Sequence, residues 1–322
     1  FPTRRSSDLL RSRPAPVAGL DRGVAEVAVG GLHSCALIDT GAVRCWGANL
    51  VGQLGIGAID NSRQFPFDFN FGRGEPLMTT LTMDYRVSPV GVVGLDSGVN
   101  DIAVGFATSC ALLDSGPVRC WGADLRSDRN LTVDPRLPSD MGAAPSNTSP
   151  VTIPGLGDTV TQLAVGGVHA CALLADGTVR CWGNNFLGQL GDGTTTSRGT
   201  PADVVGLPAK AVAIATGFYG SCAVLETGLV SCWGAYAARE VVDEFGVRSI
   251  PTPPIAFGAD PTRPNFVATF GNTVVDVSVG GSHVCSYLQD GSARCLGNNQ
   301  AGVLGTGDLN DRRFPATVLR FP

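Results

Sequence analysis

Ten cysteines are the residues of this chain best able to do chemistry, and they occur in five pairs of identical spacing. The second cysteine of each pair follows the first by ten residues. The pairs are Cys35 and Cys45, Cys110 and Cys120, Cys171 and Cys181, Cys222 and Cys232, and Cys285 and Cys295. A histidine lies two residues before the first cysteine in three of them, at His33, His169 and His283. Such groups could bind zinc, or the two thiols could form a disulfide.

The spacing within a pair indicates a β-hairpin. A glycine stands six residues after every first cysteine, as Gly177 does after Cys171. A three-residue loop that ends in glycine suits a type I turn followed by a left-handed residue. Such a hairpin sets Cys171 directly opposite Cys181, with about 4.5 Å between the Cα atoms of a non-hydrogen-bonded pair. That distance lies within reach of a disulfide, so we predict five of them.

The same register makes an independent prediction about packing. Each tryptophan that follows a second cysteine should face a small residue across the hairpin, and a leucine in that place should face a medium one. The predicted pairs are Trp46 with Ser34, Trp121 with Ser109, Trp182 with Ala170, Trp233 with Ser221, and Leu296 with Val284.

Metal binding is the rival interpretation of the cysteines. Thr108 and Gly220 replace the histidine in two copies that keep both cysteines. A directly opposed pair also has no room for a tetrahedral ion without a third strand. Reduced structural thiols and a metal site remain alternatives, and we predict disulfides, with no metal and no cofactor. Disulfides indicate an oxidising compartment, so the protein is expected to be secreted, periplasmic or on the cell surface.

Catalytic machinery is not predicted. The three histidines are the only ones in the chain and share one repeat position, whereas a catalytic base usually occurs in a single copy. No Ser-His-Asp triad can then be assembled outside the repeats. Arginines recur just before the second cysteine, where stacking on the indole or pairing with an acid of a neighbouring repeat explains them, anion binding being the alternative. They are Arg44, Arg119, Arg180 and Arg294.

Two further patterns carry no site in this interpretation. The glycine-rich turns at 52–55 and 188–191 lack the lysine and the following helix of a phosphate loop. Asp308, Asn310 and Asp311 resemble a calcium cluster only faintly, and we predict a solvated turn there.

The elements that position these residues form a repeat. A short β-rich segment precedes each cysteine hairpin, and a glycine-rich turn with a Pro-led segment follows, as in GNNFLGQLGDG and TPADVVGL. Four short strands per unit are typical of a propeller blade. The unit resembles the regulator of chromosome condensation repeat, in the cysteine-rich form of bacterial alpha-tubulin suppressor-like proteins. That resemblance implies an all-β propeller of four-stranded blades with five of seven repeats present, hence an open or incomplete ring.

The domain organisation follows from the repeats. Residues 1–9 read like a translated sequencing adapter and are interpreted as an artefact, and residues 10–322 as one propeller domain. The cysteine hairpins occupy 33–47, 108–122, 169–183, 220–234 and 283–297. Residues 16–20 match the closing segment 201–207 of a later copy, so we expect a severed repeat. We therefore interpret the chain as a fragment that lacks its targeting segment.

Composition limits the partners. The net charge is −5 and Lys210 is the only lysine, so no nucleic acid is expected because phosphate binding depends on clustered Lys and Arg. No apolar run approaches the length of a membrane span. We expect a monomer.

Function should lie in three long inserts, at 58–88, 123–148 and 235–270. Insertions at equivalent points of a propeller emerge on one rim, which is commonly the binding face. The candidate partner-binding aromatic residues are Phe65, Phe67, Phe69, Tyr85, Tyr236 and Phe245. The predicted function is a non-catalytic extracytoplasmic scaffold for an unidentified protein or glycan. The alternatives are a hydrolase or lyase with its site in the central channel and, by family analogy, a GTPase exchange factor.

Overall fold

The computed structural model is all-β, with five antiparallel sheets of four or five strands that follow one another in chain order, and two further two-stranded sheets. It describes residues 14–60, 64–68, 78–82, 84–125, 146–157, 159–237, 241–242, 248–249, 255–256, 258, 260–267 and 270–319. The adapter-like residues 1–9 lie outside this part of the chain. Each of the five larger sheets is one blade of a propeller, so the predicted fold is confirmed.

Within a blade, four strands follow one another as a meander, named a to d from the inside outwards. Blade one has β1 (Val24–Val29), β2 (His33–Ile38), β3 (Val43–Ala48) and β6 (Tyr85–Gly91), with the separate hairpin β4 (Gln64–Asp68) and β5 (Met78–Thr82) inserted before strand d. Blade two has β7 (Val99–Val104), β8 (Thr108–Leu113), β9 (Val118–Ala123) and β10 (Ser146–Thr152).

The other three blades repeat this order. Blade three has β11 (Val160–Val165), β12 (His169–Leu174), β13 (Val179–Gly183) and β14 (Arg198–Asp203). Blade four has β15 (Ala211–Thr216), β16 (Gly220–Leu225) and β17 (Val230–Ala237) as its first three strands. Its fourth strand is split into β20 (Ile255–Ala256) and β21 (Asn265–Phe266). The strands β18 (Val241–Val242) and β19 (Arg248–Ser249) pair with each other as a separate sheet. Blade five has β22 (Val274–Val279), β23 (His283–Leu288), β24 (Ala293–Gly297) and β25 (Arg312–Thr317).

The cysteine hairpins have the predicted register in all five blades. Cys171 lies opposite Cys181 across strands b and c, and the other four pairs are placed alike. All five pairs are disulfide-bonded, with Cα atoms 4.0–4.1 Å apart. Every tryptophan faces its predicted small residue and Leu296 faces Val284, so the packing prediction is also confirmed.

The hydrophobic core lies between successive blades because each sheet buries both faces against its neighbours. Leu112 and Val118 of blade two pack with Leu163 and Trp182 of blade three in one cluster. Equivalent clusters fill the junctions of blades one and two, three and four, and four and five. Strand a of each blade contacts strand a of the next, which places these strands innermost, around the channel.

The five blades form an open arc in the part of the chain that the structure describes. Val27 of strand a in blade one is 54% exposed, whereas Ile102 at the same position of blade two is 4% exposed. At the other end, Tyr287 of blade five is 51% exposed, whereas the equivalent Leu112 is 3% exposed. The first and last sheets therefore each present one face that the inner blades bury.

The segment before blade one resembles the closing turn of a blade. Leu20 donates its backbone N–H to the carbonyl of Val17 at 3.0 Å, as Leu95 does to Val92 at 3.1 Å after strand d of blade one. The predicted likeness of residues 16–20 to a closing segment therefore extends to the backbone hydrogen bond.

Candidate functional site

The a–b turns and the c–d connections lie together at one end of the propeller, because strands a and c run in the same direction. Ala48 at the end of strand c donates its N–H to Leu32 in the a–b turn at 3.0 Å, and Ala235 does the same to Tyr219. We call this end the turn face. All three inserts are c–d connections and begin on it.

A ring of glycines surrounds the channel at this face. Gly105 directly follows strand a of blade two, and a Cβ at this position would collide with the backbone carbonyl of Gly166 in blade three. Phe106 donates its N–H to that same carbonyl at 3.3 Å. Gly30, Gly166 and Gly217 approach the next blade in the same way. Successive blades therefore touch through their backbones, and a side chain would separate them.

Directly after this ring, small and aromatic residues alternate. Gly31, Gly167 and Gly281 stand there in blades one, three and five, whereas Phe106 and Phe218 stand there in blades two and four. The Phe106 ring covers Gly31 and the Phe218 ring covers Gly167.

Four half-buried aromatic rings form a continuous cluster on the turn face. Phe106 and Phe218 lie edge to face, with ring centroids 5.6 Å apart. Tyr219 contacts Phe218 at 4.6 Å and Phe186 at 5.7 Å. We call these four residues the aromatic cluster. Sequence reasoning missed them, although the exchange of glycine for phenylalanine in alternate copies was a visible signal.

The predicted binding residues are spread over three inserts. Tyr85 is half-buried at the start of β6, where its backbone pairs with Ala48. Phe65 and Phe67 lie on β4, opposite Leu81 and Thr79. Tyr236 lies on β17, while Phe69 and Phe245 lie outside the described residues. The described aromatic cluster contains none of the six, so their role in binding stays a prediction.

Behind the turn face, a buried hydrogen-bonded unit joins blade three to blade four. His169 Nε2 lies 2.7 Å from Ser221 Oγ, and Ser221 Oγ donates to the backbone carbonyl of Gln189 at 3.1 Å. Trp233 Nε1 donates to the same carbonyl at 2.9 Å. Since the serine proton points at the carbonyl, the histidine proton is on Nε2. Burial without a counter-charge lowers the pKa of His169 to about 3.

Blades one and two are joined by the same unit. His33 Nε2 lies 2.7 Å from Ser109 Oγ, and the Gln53 carbonyl accepts from Ser109 Oγ at 3.1 Å and from Trp121 Nε1 at 3.0 Å. Burial lowers the pKa of His33 to about 4. These two histidines are hydrogen-bonding parts of a blade junction.

The unit is absent from the other two junctions among the described residues. Between blades two and three, Thr108 and Ala170 replace the histidine and serine. Between blades four and five, Gly220, Val284 and Leu296 occupy the three side-chain positions. Polar and apolar junctions therefore alternate along the chain.

The channel side holds two acids on adjacent innermost strands. The Glu26 and Asp101 carboxyls hydrogen-bond to each other. The pKa of Glu26 is raised mainly by desolvation and, to a smaller extent, by the charge of Asp101. Desolvation also raises the pKa of Asp101, although hydrogen bonds from the Leu163 and Ile102 N–H groups act to lower it. Gln162 makes the next such link, to the backbone of Ile214. These side chains join blades one to four in succession.

Arg180, one of the recurring arginines, and the acidic turn have hydrogen-bond partners in the structure. Arg180 pairs with Asp203 of its own strand d at 2.7 Å and donates to the Gly155 carbonyl of blade two, so the predicted pairing with a neighbouring repeat's acid is wrong for this residue. Asp308 accepts from Arg312, and Asp311 accepts from the Asn299 N–H. No group of three His, Cys, Asp or Glu that could hold a metal ion occurs among the described residues.

The repeat also matches known proteins. The profile of the regulator of chromosome condensation (RCC1) repeat matches residues 24–53 and 160–189, and a second profile of the same description matches residues 176–224. The chain therefore contains repeats of the regulator of chromosome condensation type. Protein pim1 of Schizosaccharomyces pombe is 28% identical over 96% of this chain and 53% of its own length.

Solved structures of RCC1-type propellers share the fold. Human WBSCR16 matches with a TM-score of 0.67 and 24% identity over 92% of this chain and 67% of its own. Yeast RCC1 (Prp20), solved with Kap60 bound, matches with a TM-score of 0.65 and 23% identity over 93% of this chain and 64% of its own. The chain spans about half the length of the curated RCC1 relatives that it matches. No helix long and apolar enough to cross a membrane occurs in the described part of the chain.

Proposed function

We propose that this chain is a non-catalytic scaffold that binds a protein partner outside the cytoplasm through its turn face. The aromatic cluster carries the proposal. Phe106, Phe186, Phe218 and Tyr219 hold a partly exposed apolar surface on rigid a–b and c–d turns. Aromatic residues are enriched at protein interfaces because they bury large areas at a low cost in conformational entropy.

The polar groups near the channel support a role without catalysis. Glu26, Asp101 and Gln162 are engaged with the backbone or side chains of the next blade. His33 and His169 are buried against serines and stay neutral near pH 7. A general base needs reach to its substrate and a pKa near the working pH, and these histidines have neither.

The five disulfides support a setting outside the cytoplasm. Such bonds persist in oxidising compartments and are rare where thiols are kept reduced. The test is mass spectrometry of the protein isolated from its source and alkylated without reduction. We expect five intact bridges, each joining cysteines ten apart in sequence. Ten alkylated thiols would contradict this part of the proposal.

Binding can be tested with a variant that the repeat itself suggests. Phe106→Gly with Phe218→Gly removes half of the aromatic cluster and installs the residue that Gly31, Gly167 and Gly281 already supply at this position. We expect the partner, captured by cross-linking at the native surface, to bind this variant at least about tenfold more weakly. The control is Phe314→Ala, which changes a phenylalanine 70% exposed on the outer strand of blade five. Unchanged binding by a folded double variant would contradict the proposal.

A further inference from the structure

The two ends of the arc carry the two halves of one polar junction. At each polar junction, one blade supplies a histidine and a turn carbonyl, and the next blade supplies a serine and a tryptophan. Blade one has this serine and tryptophan, Ser34 and Trp46, and both are partly exposed. Their counterparts in blades two and four are buried against the preceding blade. Blade one is therefore equipped to follow a blade that supplies the other half.

Blade five supplies the histidine of that other half. His283 stands at the repeat position of His169 and is partly exposed. Its imidazole lies against Gly280, as the imidazole of His169 lies against Gly166. The ring is thus already placed as it is in a formed junction.

Blade five also supplies the turn carbonyl. The turn at 302–305 has the same backbone hydrogen bond between its first and last glycine as the turn at 188–191, at 3.1 Å and 3.0 Å. Leu304 is fully buried in it, as Leu190 is in the other turn. Val303 therefore presents its carbonyl in the way that Gln189 does, and the change of side chain leaves this acceptor in place.

A channel-side link can be completed between the same two ends. The Asp101 carboxylate accepts from the Leu163 N–H of the next blade at 3.2 Å. Asp276 stands at the position of Asp101 in blade five, and Val27 stands at the position of Leu163 in blade one. Blade five thus offers the acceptor, and blade one the matching donor.

Exposed apolar side chains accompany these polar groups. Val27, Val29 and Val87 are exposed in blade one, and Tyr287 and Val303 are exposed in blade five. The described residues of blades two and three expose no large apolar side chain to this degree. Large exposed apolar surfaces with polar groups among them are typical of interaction sites.

We propose that this chain associates head to tail with a second copy of itself, blade five of one copy packing on blade one of the next. His283 Nε2 donates to Ser34 Oγ, and the Val303 carbonyl accepts from Ser34 Oγ and from Trp46 Nε1. Such association differs from the monomer expected from the sequence. It uses the two end faces and leaves the aromatic cluster on the turn face uncovered.

The partner is a second copy because the two ends of one chain are held apart. Successive blades are in close backbone contact, as where Gly31 donates its N–H to the Gly105 carbonyl at 3.3 Å. Closing five blades into a ring would change the angle at all four junctions, whereas a second copy leaves each of them as it is. Since the two joined faces differ, the contact is heterologous, and every added copy presents a new free end.

The test blocks one face at a time. Val27→Asp blocks the face of blade one and Tyr287→Asp that of blade five, and both side chains are exposed in the single chain, which should still fold. By analytical ultracentrifugation, the unaltered chain should form dimers and larger multiples as its concentration rises, while each variant stays a single chain. An equimolar mixture of the two should form dimers and nothing larger, because it keeps one intact face of each kind.

Two controls separate the interface from the fold. Val212→Asp, on strand a of blade four and about as exposed as Val27, should associate like the unaltered chain. Ser34→Ala should weaken association about tenfold, because it leaves a buried imidazole proton unpaired. The same variant should leave the unfolding of the dilute, unassociated chain unchanged.

Several outcomes would overturn the inference. One is a single-chain mass for the unaltered chain at every concentration. Others are association that persists in either blocked variant, and a mixture of the two variants that stays unassociated. A different protein found on these end faces in material isolated from the source would also overturn it.

Discussion

His169 Nε2 and Ser221 Oγ share a 2.7 Å hydrogen bond across the boundary between blades three and four. Both side chains are buried. The serine also donates to the Gln189 carbonyl, so one hydroxyl links two elements of blade three to blade four. This contact makes the junction a polar one.

Replacing this serine should weaken the junction. Ser221→Ala leaves His169 Nε2 with a buried, unpaired proton, which costs about 1–3 kcal/mol in the free energy of unfolding. Alanine itself fits, since Ala170 occupies the equivalent position of blade three. Urea unfolding measures the loss. The matched control is Ser34→Ala in blade one, where no preceding blade is described and a change within about 0.5 kcal/mol is expected.

The buried histidines should make the fold sensitive to acid. Burial lowers the pKa of His169 to about 3 and of His33 to about 4, from 6.5. Their contribution to stability is present above pH 6.5 and is lost as pH falls towards the folded-state values, at up to about 1.4 kcal/mol per pH unit for each histidine. Urea unfolding between about pH 7 and pH 4.5 should show this slope. His169→Gln should flatten it more than His283→Gln, because His283 is only half-buried. Equal slopes in the two variants would count against the assignment.

The acidic pair Glu26 and Asp101 near the channel should affect the pH dependence of stability in the opposite direction to the histidines. Since the folded pKa of Glu26 is raised, the pair favours folding at low pH, and this contribution is lost as pH rises through the raised value. Glu26→Gln should therefore stabilise the protein by about 0.5 kcal/mol at neutral pH, after discounting for solvent, and by less below pH 4. Thermal unfolding at both pH values is the measurement. Asp276→Asn, at the same position of blade five but exposed, serves as the control and should show no such difference.

The glycine ring should tolerate no side chain. Gly105→Ala sets a methyl group against the Gly166 carbonyl, which is held by the Phe106 N–H. We expect a loss of about 2 kcal/mol or more, because backbone must move to admit the methyl. Gly91→Ala is the control, since a Cβ there meets nothing within 4 Å. Equal unfolding midpoints for the two variants would refute the packing argument.

The cysteine hairpins could be predicted completely from the sequence because their register depends only on local spacing. Cys171 with Cys181 and Trp182 with Ala170 follow from one turn length. The contacts between blades could not be predicted in this way. The Gln189 carbonyl meets Trp233 only after two sheets have packed, and Arg180 finds Asp203 only through the pairing of strands c and d. The aromatic cluster depends likewise on rings from different blades.

Because polar and apolar junctions alternate, an even number of blades can be added or removed without changing the kind of junction, whereas an odd number cannot. Removing blades two and three together would bring His33 and the Gln53 carbonyl against Ser221 and Trp233. These are the same residue types, a serine and a tryptophan, that the two groups contact now in blade two. Removing blade two alone would set His33 against the methyl group of Ala170. Blades can thus be exchanged, lost or duplicated in twos while each buried imidazole keeps a serine partner, whereas a single step leaves an imidazole without one. The unit of change in this architecture is the doublet.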